Sequence, residues 1–167
     1  MDIRIAGIEN DSIVDGPGFR LAVFTQGCPH ACPGCHNPQT HDFAGGRITD
    51  TQKIIDAIND NPLLDGITLT GGDPFCQCAP CAEIARAAKQ AGLNVWTYSG
   101  WTYEELIEMG KTQSDVIKLL QATDVLVDGP FILSERTLEK RFRGSKNQRL
   151  IDVKASLEKG EAVIAEE

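Results

Sequence analysis

No apolar run in this sequence approaches the roughly 20 residues that a bilayer crossing requires, and no repeat, low-complexity stretch or linker divides the chain. Positive charge is also scarce. Lys and Arg number 16 against 24 Asp and Glu, a formal charge of −8. An acidic chain carries no general field to hold nucleic acid or an anionic membrane. The opening Met1-Asp2-Ile3-Arg4 lacks the basic, apolar and small-residue order of a signal peptide. No Ser/His/Asp or Cys/His nucleophile constellation stands out. These absences point to a cytoplasmic protein with neither nucleic acid nor membrane as partner.

What is present is globular. The 167 residues are 41% hydrophobic and 24% charged, enough for one domain with a real core. That domain is expected over residues 1–157, with 158–167 as a C-terminal tail. Strand-like runs at 20–25, 66–70, 93–98, 124–127 and 149–153 alternate with helix-like ones at 50–60, 82–91 and 102–109. Alternation favours a parallel sheet with packed helices. The chain is too short for a complete eight-fold barrel of roughly 250 residues. The expected fold is therefore α/β, a partial (β/α) barrel or open parallel sheet of about five or six βα units.

The unusual segments fall just past strand ends: Gly27-Cys28, Gly71-Gly72-Asp73-Pro74, Ser99-Gly100-Trp101 and Asp128-Gly129-Pro130. In parallel sheets such loops share one edge, where sites are built. Trp101 is placed at that mouth and Trp96 in the core.

Six cysteines in a reducing compartment suggest metal before disulfides. Cys28, Cys32 and Cys35 lie in Gly27-Cys28-Pro-His-Ala-Cys32-Pro-Gly-Cys35-His36-Asn37-Pro38. Three thiolates on one loop leave one iron of a 4Fe-4S cubane open. Zinc in a Cys₃His site competes, with His30, His36 and His41 nearby. Unligated cysteines are the remaining choice. A second trio, Cys76, Cys78 and Cys81, is a candidate second metal site, of iron or zinc, or simply three thiols opening an Ala-rich helix.

The Cys-x₃-Cys-x₂-Cys spacing resembles the signature of the radical S-adenosylmethionine enzymes, and Gly71-Gly72-Asp73-Pro74 resembles their glycine-rich motif. The resemblance narrows with Ser12-Ile-Val-Asp-Gly-Pro-Gly-Phe-Arg20, Cys35-His-Asn-Pro-Gln-Thr40, Tyr98-Ser-Gly-Trp101, Asp124-Val-Leu-Val-Asp-Gly-Pro-Phe131 and Arg141-Phe-Arg-Gly-Ser-Lys-Asn-Gln-Arg149. In this order, over residues 8–152, these resemble the anaerobic ribonucleoside-triphosphate reductase activating proteins.

That resemblance implies a glycyl-radical activase. Its open iron chelates the methionine group of S-adenosylmethionine. Reductive cleavage then yields a deoxyadenosyl radical that takes hydrogen from a glycine of the reductase. It implies Cys28, Cys32 and Cys35 as 4Fe-4S ligands, and Gly34, Cys35, His36, Gly71, Gly72 and Asp73 as S-adenosylmethionine contacts. Asp73 would accept from the methionine ammonium, and His36 either lines the pocket or caps the loop. The implied partners are the glycine-bearing reductase subunit and reduced flavodoxin or ferredoxin as electron donor. Related activases for pyruvate formate-lyase hold a monovalent cation near an aspartate such as Asp128. They use another acidic group where this chain has Tyr98-Ser99.

Two stretches carry double readings. Asp15-Gly-Pro-Gly18 is a tight turn or a loop facing the partner's glycine. The basic residues between 136 and 149 form a solvated face, or a contact for an acidic partner or the electron donor. The competing functions are a small-molecule radical enzyme, such as a 7-carboxy-7-deazaguanine synthase, and a non-catalytic zinc-binding module.

Overall fold

The computed structural model describes residues 1–14, 16–35 and 37–165. Among these, seven strands form one open sheet: β1 (Asp2–Ser12), β2 (Arg20–Thr25), β3 (Arg47–Asp50), β4 (Gly66–Gly71), β5 (Asn94–Tyr98), β6 (Val125–Asp128) and β7 (Arg149–Asp152). Their spatial order is β3-β1-β2-β4-β5-β6-β7. The centre, β2-β4-β5-β6, is parallel, while β1 and β7 run antiparallel to their neighbours. The expected α/β open sheet is present, but with four parallel strands rather than five or six repeating units. Antiparallel strands finish both ends.

Five helices accompany the sheet: α1 (Thr51–Asn59), α2 (Cys78–Gln90), α3 (Tyr103–Gly110), α4 (Ser114–Ala122) and α5 (Val153–Lys159). They form one layer, with α2 packed between α1 and α4. Three of them start where a side chain satisfies orphan backbone donors. Asp50 accepts from Gln52 N–H ahead of α1, Thr102 and Glu105 form a capping box on α3, and Asp152 accepts from Ala155 N–H ahead of α5. Helix α2 buries Cys78, Cys81, Ala82, Ile84, Ala85 and Ala88. Small side chains along that stripe let the helix sit close to the sheet. No helix of the described residues is long and apolar enough to cross a membrane.

The sheet's other face is covered differently. Trp96, Val127 and Leu150 form a second apolar patch against Phe142, whose ring meets Trp96 edge-on at 5.1 Å. Phe142 belongs to the long connection 129–148, which folds back over this face. Its polar residues staple it down. Asn147 Nδ2 donates to Pro130 O at 2.8 Å, Gln148 Oε1 accepts from Gly144 N–H at 2.8 Å, and Gln148 Nε2 donates to Gly129 O at 3.1 Å.

Five elements differ from expectation. Strand β1 is interrupted by irregularities near Gly7 and between Glu9 and Ser12, so alternation fades after Ile5. Strand β3 is short and exposed at the sheet edge. Helix α4 buries Val116, Leu119 and Leu120 at helical spacing, and α5 follows β7 directly. Helix α2 also begins at Cys78, a turn earlier than residue 82. Residues 163–165 run back along β7 rather than fraying: Asp152 N–H donates to Val163 O and Ala165 N–H to Leu150 O, both at 2.8 Å.

Strands β6 and β7 are locked by charge. The buried Asp128 receives Arg149 Nε at 3.1 Å and Nη2 at 2.5 Å, and its Oδ2 also accepts from Tyr103 N–H at 2.7 Å. Both oxygens are occupied, so the carboxylate considered for a monovalent cation serves an arginine fork instead. Arg149 also holds the Glu104 carboxyl below its ordinary range by hydrogen bonding. Replacing Arg149 by Met strands a buried carboxylate and should cost about 3 kcal/mol, the low end for a broken buried pair because Arg149 is partly exposed. Urea unfolding at neutral pH reads this. The deficit should shrink in acid, as Glu104, whose carboxyl is held below its ordinary range, becomes protonated and the wild type loses that pair as well.

Candidate active site

The parallel centre puts the ends of β2, β4, β5 and β6 along one edge, and the four unusual segments converge there. They enclose a cavity of about 370 Å³, within the range of small-molecule pockets. Its wall includes Cys28, Cys32, Cys35, Thr70, Gly71, Gly72, Tyr98, Ser99, Gly129, Phe131 and Arg143.

The cysteine loop is a backbone-defined turn. Gly27 N–H donates to Thr40 O at 2.7 Å, Cys28 N–H to His41 O at 3.3 Å and Cys35 N–H to Cys32 O at 3.1 Å. Gly34 adopts φ +75°, and a side chain there would press on Leu133 at 2.9 Å. Cys28, Cys32 and Cys35 are all partly exposed, and all face the cavity. Burial raises the Cys28 thiol above its ordinary value, against a lowering hydrogen bond from the His30 backbone; the Asp73 charge raises it further.

The two glycines after β4 have a different reason from the expected one. Gly71 sits at φ +94°, and a Cβ there would lie 2.5 Å from Thr25 N. At Gly72 a Cβ would lie 2.3 Å from Gly27 O. Asp73 N–H donates to that same oxygen at 2.9 Å, and Gly72 N–H to Thr25 O at 2.7 Å. The glycines let the β4 loop press against the backbone that leads into Cys28, while both still line the cavity.

Asp73 also departs from expectation. Its side chain is fully buried and both oxygens are engaged within the protein. Oδ2 accepts from Gly100 N–H at 3.0 Å and lies 2.7 Å from His30 Nε2; Oδ1 accepts from Phe75 N–H at 3.0 Å. Ser99 Oγ lies 3.1 Å and 3.0 Å from the two oxygens. The carboxylate thus ties together the loops that follow β2, β4 and β5. His30, weighed in the sequence only as a zinc ligand, and Ser99 are the residues that sequence reasoning missed. Their signal was position: each lies within a few residues of a parallel strand's C-terminal end. His36 lies outside the described residues, as does Asp15 of the Gly-Pro-Gly turn.

The thiols of the second cysteine trio sit in three different surroundings at the start of α2. Cys81 is 0% exposed in the main core, Cys78 is buried with Sγ 3.1 Å from Phe75 O, and Cys76 is exposed on the preceding 3-10 turn. Burial first, and the Asp73 charge second, push the thiols of Cys76 and Cys78 up to about 12, and burial raises Cys81 too. Two of the three thiols, Cys78 and Cys81, are thus packed into the stripe that α2 buries.

A thiol-lined loop beside a glycine-edged cavity, on an open α/β sheet, defines a protein built to hold an iron–sulfur cluster next to a small molecule. The family model of the 4Fe-4S single cluster domain matches residues 14–151. The anaerobic ribonucleoside-triphosphate reductase-activating protein of Salmonella typhi is 37% identical over 144 residues, covering 81% of this chain and 90% of that protein. Its counterpart in Escherichia coli strain K12 is 35% identical over 146 residues, with 81% and 90% covered. That of Enterobacteria phage T4 is 31% identical, with 82% and 86% covered. The chain belongs to the family of anaerobic ribonucleoside-triphosphate reductase-activating proteins, radical S-adenosylmethionine enzymes with a 4Fe-4S cluster. The crystal structure of QueE from Escherichia coli shares the fold, with TM-score 0.50 and 14% identity over 61% of this chain and 54% of that one.

Two outcomes test the geometry. Gly72→Val should displace the Gly27–Cys28 backbone, so iron bound on anaerobic reconstitution and S-adenosylmethionine affinity should fall together, each by tenfold or more; normal iron content would contradict this. Changing Cys76, Cys78 and Cys81 together to Ser should leave iron and zinc per chain unchanged. It should cost stability by about 1–3 kcal/mol, because a hydroxyl enters the core at Cys81.

Proposed function

We propose that this chain cleaves S-adenosylmethionine reductively and generates the glycyl radical of an anaerobic ribonucleoside-triphosphate reductase, with Cys28, Cys32 and Cys35 anchoring the cluster. The observation that carries this reading is that all three thiols and the glycine-rich end of β4 open into one cavity. The donor set fits: three thiolates complete three corners of a cubane and leave the fourth iron for an exogenous ligand. When bound, the cluster supplies an open iron for the methionine group and the electron that breaks the sulfonium bond.

The chain's own residues do the rest by placement. Backbone at Gly71 and Gly72 offers polar groups to the methionine end, and Gly34 and Cys35 flank the opposite wall, with His36 as the next residue of the same loop. Phe131 and Phe142 give that wall apolar surface, which excludes water from a reactive radical. The reductase glycine enters past Val14 at the cavity's lip, and reduced flavodoxin or ferredoxin supplies the electron in the cytoplasm. Residues 1–157 carry this machinery, and 158–167 stand outside it.

Anaerobic reconstitution with iron and sulfide, then dithionite and S-adenosylmethionine, tests the reading through 5′-deoxyadenosine release and a glycyl-radical signal on added reductase. Replacing Cys28, Cys32 or Cys35 by Ala should abolish both. Full cleavage in any one variant would overturn the ligand assignment, and cleavage without a protein radical would point to a small-molecule substrate.

A further inference from the structure

Tyr98 is the last residue of β5, and Ser99 after it bonds Asp73. The phenol reaches the long connection instead: Tyr98 Oη donates to Phe142 O at 2.7 Å. Phe142 needs such a hold. It stands at φ +63°, in the left-handed region, which a bulky residue keeps only when its surroundings over-determine it. Its ring is held edge-on by Trp96 at 5.1 Å, and the Arg141 guanidinium lies 4.8 Å from the ring centre. Ring contacts leave the direction of the carbonyl open, and the Tyr98 hydroxyl fixes it. The following turn depends on that direction. Gly144 O accepts from Thr137 N–H at 3.1 Å, and Gly144 N–H donates to Gln148 Oε1 at 2.8 Å. Tyr98, Phe142, Arg143 and Gly144 all line the cavity.

We infer that Tyr98 is a positioning residue for S-adenosylmethionine: its hydroxyl holds Phe142 in the left-handed conformation and so sets Phe142, Arg143 and Gly144 as one wall of the cavity. The inference rests on the function proposed above. The hydroxyl acts through population. Without it, Phe142 returns to the extended or helical regions that side chains prefer, and the finished wall exists in only a fraction of molecules. Apparent affinity for the ligand falls by that fraction. Glycine at position 142 reaches φ +63° without a steric cost, so in that background the hydroxyl is no longer needed.

The test compares anaerobically reconstituted full-length wild type with Tyr98→Phe, Phe142→Gly and the double variant. Before ligand is added, hydrogen exchange at the Thr137 and Gly144 amides should be about tenfold faster in Tyr98→Phe, while the amides of β4 keep wild-type protection. Calorimetry should then show S-adenosylmethionine bound about tenfold more weakly by Tyr98→Phe, with iron content unchanged. In the Phe142→Gly background the same change at Tyr98 should weaken binding by less than about twofold, because the strain that the hydroxyl opposes is gone. Wild-type exchange or wild-type affinity in Tyr98→Phe overturns the inference. So does a tenfold loss repeated in the glycine background, since the phenol then meets the ligand directly. A wild type that takes up iron yet binds no S-adenosylmethionine sinks the proposed function itself, and that failure is seen before any variant is compared.

Discussion

A carboxylate withdrawn completely from water must have its oxygens engaged, and Asp73 meets that requirement by drawing three loops together. His30 comes from the segment after β2, Ser99 and Gly100 from the segment after β5, and Asp73 itself follows β4. Leaving one of those bonds unmade would cost more than a typical hydrogen bond contributes, because the charge is desolvated. The geometry of the mouth is therefore set by electrostatic necessity at one buried group. The loops could not drift independently, as loops at a sheet edge otherwise do.

The second constraint is steric and lies beside the first. Backbone meets backbone where Gly71 and Gly72 face Thr25 and Gly27, and Asp73 N–H seals the contact on Gly27 O. Cys28 follows directly. Hence the position of the first thiol depends on the absence of a side chain 44 residues later, counted from Cys28 to Gly72. On the far side of the cavity, the connection 129–148 achieves closure with amides: Asn147 and Gln148 bond backbone of the same connection, and Tyr98 Oη donates to Phe142 O at 2.7 Å. One wall is shaped by what is missing and the other by polar side chains that replace regular secondary structure.

Much of this was legible in the residues. Strands β2, β4, β5 and β6 have compact apolar runs ending in glycine or serine, and their shared edge follows from parallel pairing. The cysteine loop was legible from spacing alone. Other parts depend on tertiary context. Strand β1 carries Glu9, Asn10 and Asp11, which break its alternation, and forms because β2 and β3 pair with it on both sides. The loop-tying role of Asp73 is not legible in the sequence, because a carboxylate beside two glycines resembles a ligand group. Only the fold shows that His30, distant in sequence, claims it. The Asp128–Arg149 fork was invisible for the same reason, since antiparallel β7 brings together residues 21 positions apart.

The two cysteine trios show how backbone conformation decides what one residue type can do. Between Cys28 and Cys35 the chain turns through Ala31 at φ +47° and Gly34 at φ +75°, so successive side chains splay toward one concave space. Between Cys78 and Cys81 it is helical, and a separation of three places both thiols on the stripe that packs against the sheet. Burial there makes thiolate formation costly, and the neighbouring Asp73 charge adds to the cost. The same carboxylate that fixes the first trio's loop thus also raises the thiols of the second. The loop trio therefore lines the cavity, whereas Cys81 is closed inside the core.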